Sequence, residues 1–338
     1  MEKIINRQWV LTSRPHGAAT KENFELREVP VAEPRDGEVL IKTIYLSVDP
    51  YMRGRMNAGH SYAEPAQTGE VMLGRAVGKI VQSNSEGFEK GDVVVCGNGW
   101  QTYAIAKAES LRKLDLPPEL LPAALGVLGM PGLTAWYGLL EIGKPKSGET
   151  VVVSGAAGAV GSVVGQIAKI HGCRTVGIAG TDEKVRWLTE ELGFDAGLNY
   201  RTSPDLGAGV AAACPDGVDV YFDNVGGEVS ASVLRSLNTF GRIAVCGQIS
   251  TYDLDTPEPT EAILPLLLTR RALARGFIIG DHAEHFAKAL GELRGWVEGG
   301  RLKHRETIID GIEHAPEAFL GLFRGDNIGK QLVRVAEV

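Results

Sequence analysis

The stretch Val151–Gly161 constrains the fold of this chain more than any other part of its sequence. Three consecutive valines predict a buried strand, glycines at positions 155, 158 and 161 predict a tight turn, and Ser162–Ile170 predicts a helix. Glycines at such a turn let the main chain approach a pyrophosphate, whose charge is attracted to the amide groups of the helix N-terminus. Glycine runs of this kind also occur in turns that bind nothing, so the surrounding sequence has to indicate whether this turn binds a dinucleotide.

The sequence after residue 150 supplies that context, because predicted strands and helices alternate along it. Strands are expected at Thr150–Ser154, Arg174–Ala179, Val218–Phe222, Arg242–Cys246 and Leu273–Ile279, and helices at Asp182–Leu192 and Glu228–Leu237. This α/β pattern predicts a doubly wound parallel sheet, with the glycine turn in its first strand–helix–strand unit. The first third carries short strands between Gly, Asn and Ser turns, which predicts a β-barrel or sandwich. Near Thr307 the alternation stops, and strand Lys330–Val335 is expected to return to this β domain.

Composition argues against several classes of partner. A net charge of −7 over 338 residues argues against nucleic acid or an anionic membrane surface. The four cysteines stand far apart, which favours a reducing compartment, and we expect a cytoplasmic protein. The uncharged runs 120–140 and 150–168 are interrupted by Pro or Gly and predict buried core rather than membrane spans, and the N-terminus does not resemble a signal peptide.

The end of the second strand of the sheet indicates which dinucleotide is bound. An enzyme that prefers NAD places Asp or Glu there to bind the ribose 2′-hydroxyl. Here the strand ends in Ala179, Gly180 and Thr181, and Lys184 follows within one helical turn. A lysine in that position suits a 2′-phosphate, so NADP is favoured. In the alternative interpretation Asp182 binds the NAD ribose and Lys184 is a solvated helix residue.

Several short motifs resemble one family over nearly the whole chain. They are RQWVL at 7–11, DPYMRGRM at 49–56, GVLGMPG at 126–132, MPGLT at 130–134, DNVGG at 223–227, GFII at 276–279 and NIGK at 327–330. The chain resembles the zinc-independent medium-chain dehydrogenase/reductases, in the leukotriene B4 12-hydroxydehydrogenase/prostaglandin reductase branch, and is most similar to the bacterial NADPH-dependent curcumin reductase-like members. Asp223 and Gln248 stand where relatives often carry other residues.

The resemblance implies a GroES-like β-barrel domain over 1–128, a Rossmann NADP-binding domain over 129–305, and a return to the first domain over 306–338. It implies Met130 and Tyr51 as substrate contacts and Tyr252 as a contact of both substrate and cofactor. The residues implied to bind NADP(H) are Thr134, Gly158, Ala159, Val160, Gly161, Gly180, Thr181, Lys184, Tyr200, Asn224, Cys246, Gly247, Ile249, Ser250, Tyr252, Phe277, Ile278, Ile279 and Asn327.

The sequence favours a reaction without metal. No Cys occurs in Leu46–Asp49, and Gly74-Arg75-Ala76 stands where zinc-dependent relatives carry a Gly-His-Glu ligand motif. Zinc needs three or four N or S ligands that converge on one point. His282 and His285, with Glu284 between them, are the one candidate pair, and we interpret them as part of a solvated helix face.

Without a metal, charge that develops on the substrate oxygen has to meet hydrogen-bond donors. The resemblance implies hydride transfer to the β-carbon of an enal or enone, and Tyr252 resembles the tyrosine that the family places beside the substrate oxygen. Two roles are open for Tyr252. It either donates the proton that completes the reaction, or it only packs on the cofactor while a ribose hydroxyl or water donates that proton. Tyr51 either faces the cleft or packs at the hinge. Arg53 and Arg55 either bind an acidic substrate tail or, as we favour, make structural salt bridges; Cys246 is expected to pack rather than react.

The predicted function is NADPH-dependent reduction of the C=C bond of α,β-unsaturated aldehydes and ketones, including curcumin-like and 15-oxo-prostaglandin-like substrates. The alternatives are an NADPH:quinone oxidoreductase and, in another class, a non-catalytic NADPH-binding protein. A small conjugated carbonyl compound is the expected partner, and the resemblance implies a homodimer.

Overall fold

A computed structural model describes residues 4–59, 61–256 and 262–338. The chain divides into two compact units, which we call the β unit (Met1–Leu125 with Glu306–Val338) and the α/β unit (Gly126–Arg305). The C-terminal segment is therefore part of the same unit as the N-terminal third.

The strands of the described residues are β1 (Ile5–Leu11), β2 (Phe24–Pro30), β3 (Glu38–Ser47), β4 (Ala76–Ser83), β5 (Val93–Cys96), β6 (Tyr103–Lys107), β7 (Arg112–Lys113), β8 (Thr150–Ser154), β9 (Arg174–Ala179), β10 (Ala196–Asn199), β11 (Val218–Asp223), β12 (Leu237–Val245), β13 (Leu273–Gly276), β14 (Glu306–Asp310) and β15 (Lys330–Arg334). The α-helices are α1 (Tyr51–Arg55), α2 (Met130–Tyr137), α3 (Gly161–Ile170), α4 (Asp182–Arg186), α5 (Leu206–Ala213), α6 (Gly227–Leu234), α7 (Ile263–Arg270), α8 (Phe286–Glu298) and α9 (Ala315–Arg324).

The α/β unit is built on one six-stranded sheet. Its strand order is β10-β9-β8-β11-β12-β13, and every neighbouring pair is parallel. β8 lies inside the sheet and all five of its residues are buried, which explains its run of valines. Because the strands are parallel, their carboxyl ends meet at one edge, where ligands bind in sheets of this kind. The predicted Rossmann sheet is confirmed.

The β unit contains a seven-stranded sheet that includes the C-terminal strand. β15 pairs antiparallel with β3 and parallel with β14, and β4, β5, β6 and β7 complete the sheet. The core beside it contains three aromatic rings, in which Trp100 lies 5.3 Å from Phe24 and 5.6 Å from Phe319 between centroids. The C-terminal strand β15 therefore belongs to the same sheet as strands of the N-terminal third.

Some predicted element boundaries are wrong. The strand expected at Leu273–Ile279 ends at Gly276, because Phe277 packs its ring against Tyr137 and Phe222 instead of continuing the sheet. The helix expected at Asp182–Leu192 changes to a π-helical turn at Trp187–Glu191. The helix expected at Glu228–Leu237 ends at Leu234, and β12 begins at Leu237 rather than at Arg242. The sequence interpretation also missed strands β1, β2, β7, β10 and β14 and helices α1 and α9.

No single helix in the described ranges is long and apolar enough to cross a membrane. One bent pair, Pro118–Leu125 with Met130–Gly143, meets the length and composition criteria only when its two parts are taken together.

Candidate active site

The glycine turn between β8 and α3 is shaped by close contacts of its own main chain. Gly155 has φ +58°, and its carbonyl oxygen accepts a hydrogen bond of 3.0 Å from the Gly158 amide. A Cβ on Gly161 would lie 2.4 Å from that carbonyl oxygen and 2.8 Å from the Ala156 Cα, so the first residue of α3 has to be glycine. Ala159 and Val160 complete the turn. This narrow turn at the sheet edge fits a pyrophosphate.

The tip of β9 carries the residues predicted to select NADP. Thr181 caps α4, and its hydroxyl accepts a hydrogen bond of 3.2 Å from the Lys184 amide. A Cβ on Gly180 would lie 3.0 Å from the Tyr200 ring and 3.2 Å from its hydroxyl. The structure therefore brings Gly180, Thr181, Lys184 and Tyr200 together, and with Lys184 half-buried the place suits a phosphate.

The sequence interpretation missed Arg201 at this place. Its Nε donates to the Tyr200 hydroxyl at 3.3 Å and would lie 3.3 Å from a Cβ on Gly180. Asp182, the residue of the NAD alternative, accepts a hydrogen bond of 2.7 Å from the Asn199 side chain. A basic residue directly after Tyr200, at the end of the neighbouring strand, was the signal in the sequence that could have identified Arg201.

The carboxyl ends of β8 and β11 are joined through Asn224. Its amide nitrogen donates to the Ser154 hydroxyl at 2.8 Å, and its side-chain Nδ2 donates to the Ser154 carbonyl at 2.7 Å. Gly155 packs beside the same residue, since a Cβ there would lie 3.4 Å from the Asn224 Cβ. The pyrophosphate turn and Asn224 thus form one continuous edge.

The segment after β12, Cys246–Tyr252, is attached to the turn after β11 by main-chain hydrogen bonds. Cys246 and Gly247 donate to the Asp223 carbonyl at 2.9 and 3.1 Å. Ile249 donates to the Asn224 carbonyl at 3.3 Å, and Ser250 donates to the Val225 carbonyl at 3.0 Å. These bonds bring the predicted residues Cys246, Gly247, Ile249 and Ser250 against the turn formed by Asp223, Asn224 and Val225.

Tyr252 folds its side chain back over this segment. Its hydroxyl accepts a hydrogen bond of 3.2 Å from the Gln248 amide, and it would lie 3.1 Å from a Cβ on Gly247. An ordinary alanine at position 247 would press against the hydroxyl. The phenol oxygen therefore acts as an acceptor in this bond, and a tyrosine hydroxyl also carries a proton that it can donate.

Cys246 is half-buried, and burial, assisted by the negative charge of Asp223, raises the pKa of its thiol to about 12. A thiol with this pKa is almost entirely protonated near neutral pH, so it is a poor nucleophile. This agrees with the expected packing role.

Phe277, Ile278 and Ile279 follow β13 and are half-buried. The Phe277 ring lies against Tyr137 and Phe222, with centroid distances of 5.6 and 6.4 Å, and a Cβ on Gly138 would meet it at 2.6 Å. The segment predicted to flank the nicotinamide is thus anchored on α2 and the turn after it.

Helix α2 carries the other two predicted residues of the α/β unit. Met130 begins the helix and is half-buried, and the Thr134 hydroxyl donates to the Met130 carbonyl at 2.8 Å. The Thr134 oxygen keeps lone pairs that can accept a carboxamide N–H. The roles predicted for Met130 and Thr134 stay predictions.

In the β unit, Tyr51 begins α1 and packs on the aromatic core. Burial, followed by the charge of Asp49, raises the pKa of its hydroxyl well above the usual value, so Tyr51 is a neutral residue under ordinary conditions. Asn327 is buried, and its Nδ2 donates to the Gly329 carbonyl at 2.7 Å. The roles predicted for Tyr51 and Asn327 stay predictions.

Lys330 fixes the turn before Tyr51. Its ammonium donates to the Val48 carbonyl at 2.8 Å and the Gln331 carbonyl at 2.9 Å, and it lies 3.0 Å from an Asp49 carboxylate oxygen. Burial lowers the pKa of Lys330, and the Asp49 charge opposes that shift. The sequence interpretation assigned no role to this lysine.

Arg53 and Arg55 bind main-chain oxygens. The Arg53 guanidinium, which is buried, donates to the Gly17 carbonyl and the Asn57 side chain, and Arg55 donates to the Glu64 carbonyl. These acceptors are carbonyl and amide oxygens rather than the carboxylates of the expected salt bridges, and the structural role of the two arginines stays a prediction. His60 and residues 257–261 lie outside the described residues.

His282 and His285 are not part of a solvated helix face, and that interpretation was wrong. The His282 ring stacks on Tyr137 at 4.1 Å between centroids, and His285 meets the same ring edge-on at 5.3 Å. His282 has non-helical dihedral angles (φ −126°, ψ 37°), so the two residues do not share a helical turn. Among residues 4–59, 61–256 and 262–338, no group of three or more His, Cys, Asp or Glu side chains could hold a metal ion.

Comparisons with known proteins agree with this architecture. Residues 7–114 match the profile of the N-terminal domain of oxidoreductase, and residues 159–294 match that of zinc-binding dehydrogenase. The chain is 48% identical over 343 residues to the NADPH-dependent curcumin reductase of Escherichia coli, covering 99% of this chain and 98% of the relative. It is 45% identical over 330 residues to prostaglandin reductase 1 of Rattus norvegicus, covering 96% and 98%.

A solved structure is also similar over nearly the full length. The crystal structure of CurA in complex with NADPH from Vibrio vulnificus has a TM-score of 0.94 and 43% identity, covering 98% of this chain and 100% of that one. A Rossmann sheet with a narrow glycine turn, in a chain whose two ends form a separate β domain, defines a nucleotide-dependent oxidoreductase. The chain belongs to the medium-chain dehydrogenase/reductase family.

Proposed function

We propose that the protein is an NADPH-dependent ene-reductase that reduces the C=C bond of α,β-unsaturated aldehydes and ketones without zinc. The observation that carries this proposal is the cluster at the sheet edge, where the glycine turn, Asn224 and Tyr252 are joined through hydrogen bonds. The names of two relatives, NADPH-dependent curcumin reductase and prostaglandin reductase 1, support this reaction class. Enals, enones, curcumin-like and 15-oxo-prostaglandin-like compounds are the proposed substrates.

NADP(H) is the proposed cofactor, and the chain offers a suitable environment for each part of it. The turn from Gly155 to Gly161 would hold the pyrophosphate, and the group Gly180, Lys184 and Tyr200 would hold the 2′-phosphate. When bound, NADPH supplies the hydride that is added to the substrate β-carbon. Residues 1–128 with 306–338 are the proposed substrate and catalytic domain, and residues 129–305 are the NADP-binding domain; the two compact units support this division.

Tyr252 is the proposed proton donor. Hydride addition at the β-carbon leaves negative charge on the enolate oxygen and α-carbon, and the reaction is completed when a proton reaches the α-carbon. The Tyr252 hydroxyl accepts from Gln248 and can donate its own proton. The hydrogen bond that would stabilise the Tyr252 oxygen as it loses its proton is therefore already formed in the protein.

One assay distinguishes the candidate functions. NADPH and NADH oxidation is followed with matched panels of enones, quinones and saturated aldehydes, and products are identified by mass. Formation of the saturated ketone with NADPH supports the proposal, and turnover of quinones alone contradicts it. Tight NADPH binding without turnover of any panel indicates a non-catalytic binding protein.

A second assay tests the proton donor. Tyr252→Phe removes the hydroxyl and is expected to lower kcat for enones by about 100-fold, which is the lower end of the rate enhancement that a general acid contributes. Tyr103→Phe, in strand β6, is the control and should retain kcat. An unchanged kcat in Tyr252→Phe would move proton delivery to a ribose hydroxyl or water.

The α/β unit offers a surface for a homodimer, which we propose as the working state. β13 lies at the edge of the sheet. Near it, Leu273 is 54% exposed, Leu268 on α7 is 78% exposed, and Phe240 is 63% exposed with a strained φ of +66°. A second copy that covered this face would bury these apolar side chains.

The dimer is tested by sedimentation at several protein concentrations. Leu268→Glu with Leu273→Lys should dissociate it, whereas Ile5→Glu, at a 45% exposed residue of the β unit, should not. A wild-type chain that sediments as a monomer at micromolar concentration would contradict the proposal.

A cytoplasmic location is proposed as well, because all four cysteines are free thiols. Recovery of the protein in a membrane or secreted fraction would contradict this location.

A further inference from the structure

Asp223 is a buried carboxylate at the centre of the site. It is 3% exposed, and its charge is stabilised by hydrogen-bond donors from several elements. Its Oδ1 accepts from the Ser154 and Tyr221 hydroxyls and from the amides of Val225 and Gly226, and its Oδ2 accepts from the Ser230 hydroxyl and Gln248 Nε2. Asp223 therefore holds the end of β8, the turn after β11 and the segment after β12 in one arrangement.

Gln248 connects this carboxylate to Tyr252. Its side-chain Nε2 donates to Asp223 at 3.0 Å, while its main-chain amide donates to the Tyr252 hydroxyl at 3.2 Å. The side chain also packs tightly on Gly226, where a Cβ would lie 2.3 Å from Oε1. Its carbonyl accepts from the Thr251 amide at 2.9 Å and from the Thr251 hydroxyl at 2.8 Å. Because its side-chain Nε2, its main-chain amide and its carbonyl oxygen are all hydrogen-bonded, Gln248 has little freedom to move its amide.

We propose that Asp223 and Gln248 are positioning residues that hold the Gln248 amide against the Tyr252 oxygen. In the proton-transfer step the Tyr252 O–H bond breaks and a C–H bond forms at the α-carbon of the enolate. The electron pair stays on the phenolate oxygen, which the Gln248 N–H stabilises until water returns a proton. The proposal deepens the proposed function and rests on Tyr252 as its proton donor.

The Gln248 amide can stabilise the Tyr252 oxygen effectively because it is fixed in place before negative charge develops on that oxygen. A donor already aimed at the atom that becomes negative needs no reorganisation during the step. Loss of one such donor costs about 10²–10³-fold in kcat in other enzymes. Removing the Gln248 side chain leaves the amide in place but loosens it, so a smaller loss of roughly 10-fold is expected.

The test compares Gln248→Met, Tyr252→Phe and the double variant, with steady-state kinetics on an enone. Gln248→Met is expected to lower kcat roughly 10-fold and to change the NADPH KM by less than about 2-fold. The double variant should be no slower than Tyr252→Phe alone, because Gln248 acts through Tyr252. Gln82→Met is the control: its Nε2 also donates to a carboxylate, that of Glu33, at 2.8 Å on the surface of the β unit.

Isotope effects keep the test valid if Gln248→Met folds incompletely, because they are ratios that do not depend on the amount of active enzyme. The solvent deuterium effect on kcat should increase in Gln248→Met, since proton transfer becomes slower relative to hydride transfer. An unchanged kcat and isotope effect, multiplicative losses in the double variant, or a loss confined to the NADPH KM would each overturn the proposal. An unaffected Tyr252→Phe would instead overturn the proposed proton donor, and the two failures are thus separable.

Discussion

Replacement of Gly161 by alanine tests the claim that the glycine turn is shaped by steric contact. The added Cβ would lie 2.4 Å from the Gly155 oxygen, whereas ordinary contacts begin at 3.4 Å, so main-chain atoms have to move by about 1 Å. Overpacking of this kind costs about 1–3 kcal/mol in a well-packed protein. For a unit of this size each kcal/mol lowers Tm by roughly 2–4 °C, which predicts a fall of roughly 2–12 °C.

Gly158→Ala is the matched control in the same turn. Its Cβ would lie 3.3 Å from the same carbonyl oxygen, a distance that a small shift relieves, so Tm should stay within about 2 °C of the wild type. Thermal unfolding gives Tm, and fluorescence titration gives the NADPH Kd of both variants. Gly161→Ala should lose both stability and affinity, and Gly158→Ala should lose affinity alone if the cofactor approaches the main chain there. A Gly161→Ala protein with wild-type Tm and Kd would refute the steric argument.

Three further predictions address other residues. Lys184→Gln should lower kcat/KM for NADPH about 10-fold, as expected for a charged hydrogen bond of about 1.5 kcal/mol, and leave NADH unchanged; Arg201→Gln should act in the same direction, and equal losses for both cofactors would contradict the phosphate assignment. Cys246, with its pKa raised to about 12, should resist iodoacetamide at pH 8 until the protein unfolds, and rapid labelling of the native protein would contradict this. Lys330→Met should lower the free energy of unfolding by about 3 kcal/mol in urea denaturation, because it removes the cation that faces the partly buried Asp49 carboxylate, whereas Arg324→Met at an exposed ion pair should cost less than about 1 kcal/mol.

Local sequence patterns predicted the parts of the fold that are determined locally. Thr150–Ser154 and Arg174–Ala179 are strands with the predicted bounds, because β-branched residues there continue up to a glycine or polar turn. Helix α9 could have been found in the same way. It has Pro316 in its first turn and ends at Arg324, and the φ of +75° at the following Gly325 is common directly after a helix.

The errors occurred where contacts between distant residues decide the local structure. Leu273–Ile279 is apolar throughout and predicts one strand, but the Phe277 ring fills the space left by Gly138, more than 130 residues away. His282 and His285 have helical spacing in the sequence, yet a stacking contact with Tyr137 holds His282 out of the helical conformation. Such contacts leave no periodic signal along the chain.

The candidate site divides in the same way between local and distant determinants. The glycine turn can be predicted from the sequence because its geometry depends on its own main-chain atoms, whereas Ser154 and Asp223 are 69 residues apart and meet through strand pairing.

Mutations in the two parts of the site should also have different effects. A change in the turn alters main-chain shape and should affect stability and cofactor affinity together. A change at Gln248 leaves the turn intact and alters one hydrogen bond to Tyr252, so it should affect kcat while the NADPH KM is retained. Binding and chemistry in this protein are therefore separable by mutation, because steric contacts maintain the first and a hydrogen-bonded carboxylate maintains the second.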